Sequence, residues 1–368
     1  MNPYLIALTL VPGLGPKSIR QLKDLCPDLE QLFRMPASEL KEIFGTHTGV
    51  INSIANKSTL AQAETILTEA EKYHIRTLFF TDPAYPQRLN AAGCEDTPVL
   101  LYTLGECDLN MPHSVALVGT RKATDYGRTT TARLVEELGA DKPLIVSGLA
   151  YGIDTAAHTA ALDNQLATVA VLGHGLDIIY PSQNRGLAKR IVDQGGALLT
   201  EYPLHTDIKA TNFPARNRII AAMSDATIVV EASERGGALI TANIASSYFR
   251  EVFAVPGRLN DPTSEGCNNL IVNNKAIMIR NAGDLFFQMG WKTTFDKQRR
   301  KEQQQSLFAT LNTNEKAIVD LLEKNKEMTL DEIELQSGLP LPKIAAVMVE
   351  LELKNVIRCL PGRLYKLS

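Results

Sequence analysis

The run from Lys209 to Ile220, Lys-Ala-Thr-Asn-Phe-Pro-Ala-Arg-Asn-Arg-Ile-Ile, gathers an aromatic ring, three cations and two amides within twelve residues. Phe213 offers a face on which a base can stack, and Arg216 and Arg218 carry planar forks of donors suited to phosphate. Lys209, Asn212 and Asn217 flank them. Pro214 suits the first turn of a helix that continues through Ile219, Ile220 and Met223. Such a start sets the Arg-Asn-Arg group where a helix N-terminus already favours anions. This combination suits unpaired nucleic acid. The competing reading is an ordinary helix start, with Phe213 buried and the arginines paired to carboxylates.

Three other stretches share this character. Val118-Gly119-Thr120-Arg121-Lys122-Ala123-Thr124-Asp125 supplies a glycine, a hydroxyl and a guanidinium, with Thr124 or Asp125 as the cap of a following helix. Gly119 is read as clearing space for a phosphate. Ser147-Gly148-Leu-Ala-Tyr-Gly-Ile-Asp154 leads into a helix through Thr155, Ala156 and Ala157. Ser233-Glu-Arg-Gly236-Gly237-Ala-Leu-Ile-Thr241 places a glycine pair ahead of another. One glycine turn alone is explained by backbone geometry. Three of them beside the Phe213 run form a cradle for a polyanion.

A sheet must hold these turns together. Val115–Val118, Leu144–Val146, Thr168–Leu172, Ala197–Leu199, Thr227–Val230 and Val252–Val255 are apolar without polar alternation, so both faces of each are buried. Helical segments separate them, and two further strands precede them at Thr77–Thr81 and Pro98–Tyr102. The pattern predicts an α/β domain over residues 76–290, doubly wound around a mostly parallel sheet. Ligands of such sheets collect outside the carboxyl ends of the strands, where the strand order reverses.

Residues 1–75 read as a small helical domain in which Val11-Pro-Gly-Leu-Gly-Pro-Lys17 joins two short helices. The turn resembles a helix-hairpin-helix, and contact with phosphate, contact with protein and a plainly structural role all remain open for it. Residues 291–306 form a polar linker that includes Lys297–Gln305. Residues 307–368 give helices capped by Asn314 and Thr329, a third bearing Ile344, Val347 and Leu351, and a hairpin turning at Pro361-Gly362. That order is a winged helix. Lys343 is the main base of its third helix, with Glu350 and Glu352 nearby, so binding to a protein is as well supported as reading duplex DNA.

The whole chain of 368 residues carries a net charge of −3, so attraction to nucleic acid must come from a local patch. Its five cysteines are scattered without metal-ligand spacing and fit reduced thiols in a cytoplasmic protein. No secretory signal opens the sequence, and no apolar run is long enough for a membrane span.

Missing motifs narrow the chemistry. The Gly119 turn lacks Gly-x-Gly-x-x-Gly and a downstream acid, which weakens dinucleotide binding. There is no Walker-type loop, no His-Glu-x-x-His and no Gly-x-Ser-x-Gly. His158 and His174 are read as packed side chains, and Asp154 as a cap or a tie for the glycine turn. No metal, cofactor or catalytic set is expected.

The order of these blocks resembles the bacterial DNA-processing protein A (DprA, or Smf) family. They are Val118-Gly-Thr-Arg121, Ser147-Gly-Leu-Ala-Tyr-Gly-Ile-Asp-Thr-Ala-Ala-His158, Gly173-His-Gly-Leu-Asp-Ile-Ile-Tyr-Pro181 with Asn184, and Leu199-Thr-Glu-Tyr-Pro203. Asn212-Phe-Pro-Ala-Arg-Asn-Arg-Ile-Ile220, Gly236-Gly-Ala-Leu-Ile-Thr-Ala242 and Val252-Phe-Ala-Val-Pro-Gly257 complete the series. The resemblance implies an extended Rossmann-like core that binds single-stranded DNA, dimerises and serves natural transformation. It further implies protection of incoming strands and loading of the RecA recombinase onto them. Arg121, Phe213, Arg216 and Arg218 match the family's strand-binding positions, and Lys209 more loosely. His174 departs from the smaller residue that many relatives carry. The core is also similar to the phosphoribohydrolases that cleave nucleoside monophosphates, but Arg235–Ala242 lacks their glutamate, and with it the acid–base group.

Overall fold

The computed structural model describes residues 3–91, 93–291, 312–354, 356–360 and 364–367. These fall into two units, residues 1–290 and 291–368. The expected linker at 291–306 and the turn at Pro361-Gly362 lie almost wholly outside the described residues.

The first unit begins with six helices: α1 (Pro3–Thr9), α2 (Pro16–Leu25), α3 (Leu29–Leu32), α4 (Ala37–Phe44), α5 (Thr48–Ala55) and α6 (Leu60–Lys72). Then β1 (Arg76–Phe79), β2 (Leu100–Gly105) and β3 (Ser114–Val118) lead to α7 (Asp125–Leu138), β4 (Leu144–Ser147), α8 (Ile153–Asp163) and β5 (Thr168–Leu172). The chain continues through α9 (Arg185–Asp193), β6 (Ala197–Thr200), α10 (Asn212–Met223), β7 (Ala226–Val229), α11 (Gly237–Ser247) and β8 (Glu251–Ala254). It closes with α12 (Glu265–Val272), β9 (Ile277–Met278) and α13 (Ala282–Met289).

The nine strands form one sheet in the order β1-β2-β6-β5-β4-β3-β7-β8-β9. β1 and β2 run antiparallel to their neighbours, and the seven strands from β6 to β9 are parallel. Apolar residues cover both faces, as the unbroken Val/Ile/Leu strands predict: Val169 and Val171 pack on one side, Ala170 and Leu172 on the other. From β3 the chain winds to β4, β5 and β6 on one side, then returns to lay β7 against β3 on the other. The reversal opens a crevice at the carboxyl ends of β3, β4 and β7.

The N-terminal helices share a core with this sheet. Leu5, Ile6, Leu8, Ile19 and Ile54 belong to the same apolar cluster as Phe79, Val99, Leu100 and Tyr102. Leu25, at helical spacing from Leu22, is nonetheless exposed. The cations beside the glycine turn face the α/β part of the unit. Lys17 pairs with Glu95 at 2.5 Å, Arg20 donates to Asn90 at 2.7 Å, and its guanidinium lies 4.8 Å from the centre of the Phe80 ring. These two side chains are thus engaged within the chain itself.

The second unit holds α14 (Thr313–Asn325), β10 (Glu327–Thr329), α15 (Leu330–Ser337), α16 (Leu341–Leu353), β11 (Ile357–Leu360) and β12 (Leu364–Leu367). Its three strands pair antiparallel in the order β10-β12-β11 around Ile318, Leu322, Ile333, Ile344 and Leu351, a winged-helix arrangement. Thr329 caps α15 as expected, but the cap of α14 is Asn312 and not Asn314. Asn312 accepts from the N–H groups of Asn314 and Glu315, and the Glu315 carboxylate reaches back to the Asn312 N–H at 2.8 Å. Among the described residues no helix is long and apolar enough to cross a membrane.

Candidate nucleic-acid interface

The crevice at the strand reversal is a groove of about 620 Å³. Of the residues singled out from the sequence, Gly119, Thr120, Arg121, Phe213, Arg216, Asn217, Gly236, Gly237 and Thr241 line it. They arrive from the turn after β3, from α10 and from the start of α11, the first of these about ninety or more positions ahead of the other two in the chain. The N-termini of α10 and α11 open here, so unpaired backbone N–H groups and two helix dipoles favour negative charge in the groove.

Phe213 and Arg121 form its distinctive pair. The Arg121 guanidinium carbon lies 5.6 Å from the centre of the Phe213 ring, within cation–π range. Phe213 is half-buried and Arg121 exposed. Pro214, as expected, stands in the first turn of α10, which begins at Asn212. Ile208 and Ile240, each about two-fifths exposed, add apolar surface to the groove.

Arg216 has another task. It is 4% exposed and donates from Nη1 to the carbonyls of Gly148, at 2.8 Å, and Val171. Its Nε donates to Asn217 Oδ1 at 3.2 Å. Burial draws its pKa down to about 10, against the pull of the Asp154 carboxylate. Arg216 therefore lies in the floor of the groove as a clasp between the ends of β4 and β5. Arg218, two residues on, borders a different crevice and is taken up by Glu201. The reading of Arg216 and Arg218 as one open fork for phosphate is corrected on this point.

The glycine turns are likewise built for packing. A Cβ on Gly119 would meet the Ile153 side chain at 2.4 Å and the Glu231 carbonyl at 3.0 Å, so its missing side chain makes room for α8 and β7 rather than for a phosphate. A Cβ on Gly148 would strike the Arg216 guanidinium at 2.6 Å. Gly237 alone of the predicted glycines faces open space. Ser147 is fully buried, donating to the Leu117 carbonyl at 2.7 Å, and does not line the groove. Lys209 and Asn212 are not in the lining, although Ile208 and Ala210 on either side of Lys209 are. Lys209 is exposed, and its carbonyl accepts the Asn212 N–H at 3.0 Å.

The buried acids are committed. Asp154 accepts from the N–H groups of Gly148 at 3.2 Å and Ala150 at 3.3 Å, which ties the glycine turn as the sequence suggested. Burial raises its pKa, opposed by Arg216. Glu231 accepts from the Thr124 N–H at 2.9 Å and from the Thr124 hydroxyl. His158 and His174 are buried, as expected. Burial lowers both pKa values, that of His158 to about 3. Sequence reasoning missed Tyr180, which lines the groove from the loop after β5 with its ring 5.7 Å from that of Phe213. Its one local signal was an aromatic ahead of Pro181 in a glycine-containing loop.

Fold and groove together define a Rossmann-like core with a winged-helix companion. The family described as DNA recombination-mediator protein A matches residues 76–290, and the DprA winged helix domain matches residues 302–363. The chain belongs to this DprA/Smf family. It is 32% identical to protein Smf of Synechocystis over 99% of this chain and 98% of that one. It is 36% identical to protein Smf of Escherichia coli over 76% of this chain and 74% of that one. The X-ray structure of DNA processing protein A from Streptococcus pneumoniae superposes with a TM-score of 0.66 at 32% identity, covering 78% of this chain and 97% of that one. That of Helicobacter pylori, reported with its single-stranded DNA binding mode, gives 0.52 at 32% identity, covering 58% and 95%.

Proposed function

We propose that this protein binds single-stranded DNA in the groove between the turn after β3 and the starts of α10 and α11, as a cytoplasmic homodimer. There it protects strands entering during natural transformation and passes them to RecA. The observation that carries this reading is the Arg121–Phe213 pair at the mouth of a groove bordered by two helix N-termini. A ring under a guanidinium suits a base and its phosphate together, without regard to sequence. The relative from Helicobacter pylori, with its reported single-strand binding mode, adds support.

The protein acts by binding and not by hydrolysis. The buried carboxylates beside the groove, Asp154 and Glu231, are already engaged with backbone N–H groups, and Arg235–Ala242 lacks the glutamate that the phosphoribohydrolases carry. A gel-shift titration of the full chain with oligo-dT and with a duplex of equal length tests the proposal. Tighter binding of oligo-dT is expected; preference for the duplex, or no shift at low salt, refutes it. Release of free base from nucleoside monophosphates would revive the phosphoribohydrolase alternative.

A further inference from the structure

Phe213 is one of three neighbouring aromatic side chains. Tyr180 tilts against it at 43°, and Tyr151 borders the same small recess as Tyr180, Phe213 and Arg121. Tyr180 and Tyr151 are 42% and 40% exposed, unlike the fully buried Tyr85 and Phe253 of the core. Rings left this far in water recover only part of the burial energy that explains most aromatics.

The two tyrosines are nevertheless held in place. The Tyr151 hydroxyl donates to Gln183 Oε1, which also accepts from the Ser182 hydroxyl at 3.3 Å. Asn184 donates to the Leu149 carbonyl at 2.8 Å and to the Thr155 hydroxyl at 2.9 Å. The loop that carries Tyr180 is thereby fastened to the turn that carries Tyr151. Just beyond, Arg185 opens α9 with an exposed guanidinium that makes no hydrogen bond or ion pair with another described residue.

We propose that Tyr180, in the groove's lining, and Tyr151, beyond it, carry the stacking surface of Phe213 out of the groove. Unpaired DNA leaving the groove lays successive bases against these rings, and Arg185 holds the backbone beyond them. This track rests on the reading of the groove as a single-strand site. Fixed rings suit the task because a platform already in position loses little freedom on binding, and stacking accepts any base.

Fluorescence anisotropy of the full chain with labelled oligo-dT of about 4 to about 16 nucleotides tests it, a range typical of single-strand binding sites. Tyr151→Leu should match the unaltered protein on the shortest oligomers and bind the longest roughly 5- to 150-fold more weakly, the effect of losing a stacked base. Tyr151→Phe should keep most of the long-oligomer binding, since it keeps the ring. Equal affinity of the leucine variant and the unaltered protein at every length, with Phe213→Ala impaired, overturns the track and leaves the groove reading standing. Equal losses at all lengths also overturn it, because the rings would then not extend the site. Failure of the unaltered protein to bind any oligomer overturns both readings.

Discussion

Arg218 grips Glu201 through two parallel hydrogen bonds, Nη1 to Oε1 at 2.8 Å and Nη2 to Oε2 at 2.6 Å, and each side chain is only 16% exposed. Two further bonds, from Nε to the Asp96 carbonyl and from Nη1 to the Ala215 carbonyl, tie it further into the fold. Arg218→Ala strands a shielded carboxylate and should cost about 2–3 kcal/mol of stability. Chemical denaturation reads the loss. Single-strand affinity of the folded variant should be near that of the unaltered protein.

Arg121 is exposed where Arg218 is shielded, and the two should separate in a salt series. Each neutralised phosphate on a single strand contributes about 0.7 to the slope of log K against log salt. Arg121→Ala should flatten the slope by about that amount, and Arg218→Ala should leave it unchanged. Equal slopes for all three proteins would remove Arg121 from the phosphate contacts.

Phe213→Ala should lower affinity for oligo-dT roughly 5- to 150-fold, the range for loss of one stacked base. Mixed-sequence oligomers should lose the same factor in anisotropy measurements, because a ring face does not distinguish bases. A loss confined to one base would point to hydrogen-bonded readout instead.

Gly119→Ala tests the packing account of the first turn. Its Cβ would lie 2.4 Å from Ile153 Cγ1, so α8 or the end of β7 must give way. The expected cost is about 1–3 kcal/mol, the usual range for overfilling a packed site. Thermal melting would show it; an unchanged melt would mean that the turn relaxes freely.

His158 links stability to pH. The Thr168 hydroxyl donates to the Ile145 carbonyl at 2.9 Å, so His158 Nδ1 is the donor in their 2.8 Å bond and Nε2 is unprotonated. Charging the ring would bury a second N–H with no partner among the described residues. Its pKa falls from 6.5 to about 3 on folding, chiefly by burial. Between those values the unfolded chain binds the extra proton, so stability is full above about pH 6.5 and declines by up to about 1.4 kcal/mol for each unit of acidification. His158→Gln should remove this slope in denaturation curves taken from pH 7 to pH 4; curves that stay parallel to those of the unaltered protein would contradict it.

The sheet was legible because its buried parallel strands are continuous apolar runs, and Thr168–Leu172 is recovered residue for residue. β9, with two residues, carries too little pattern to be seen. The groove was legible as a set of turns, since glycines and caps are local signals. The division of labour between Arg216 and Arg218 was obscured by reading the run as a line. Residues two apart on a helix stand about 200° around its axis, which sends one guanidinium under the groove and the other to Glu201. Tyr180 and Tyr151 escaped notice for a different reason: only long-range folding brings the loop after β5 beside the turn after β4.

Because Leu5, Ile6 and Leu8 share one oily interior with Phe79, Leu100 and Tyr102, the front of the chain is not a detachable accessory. Cutting it away would leave a raw greasy wall on the remaining half, and fragments trimmed near residue 76 should clump before they can be assayed. Genetic fusions and reporter dyes that must leave DNA handling intact belong elsewhere on the molecule.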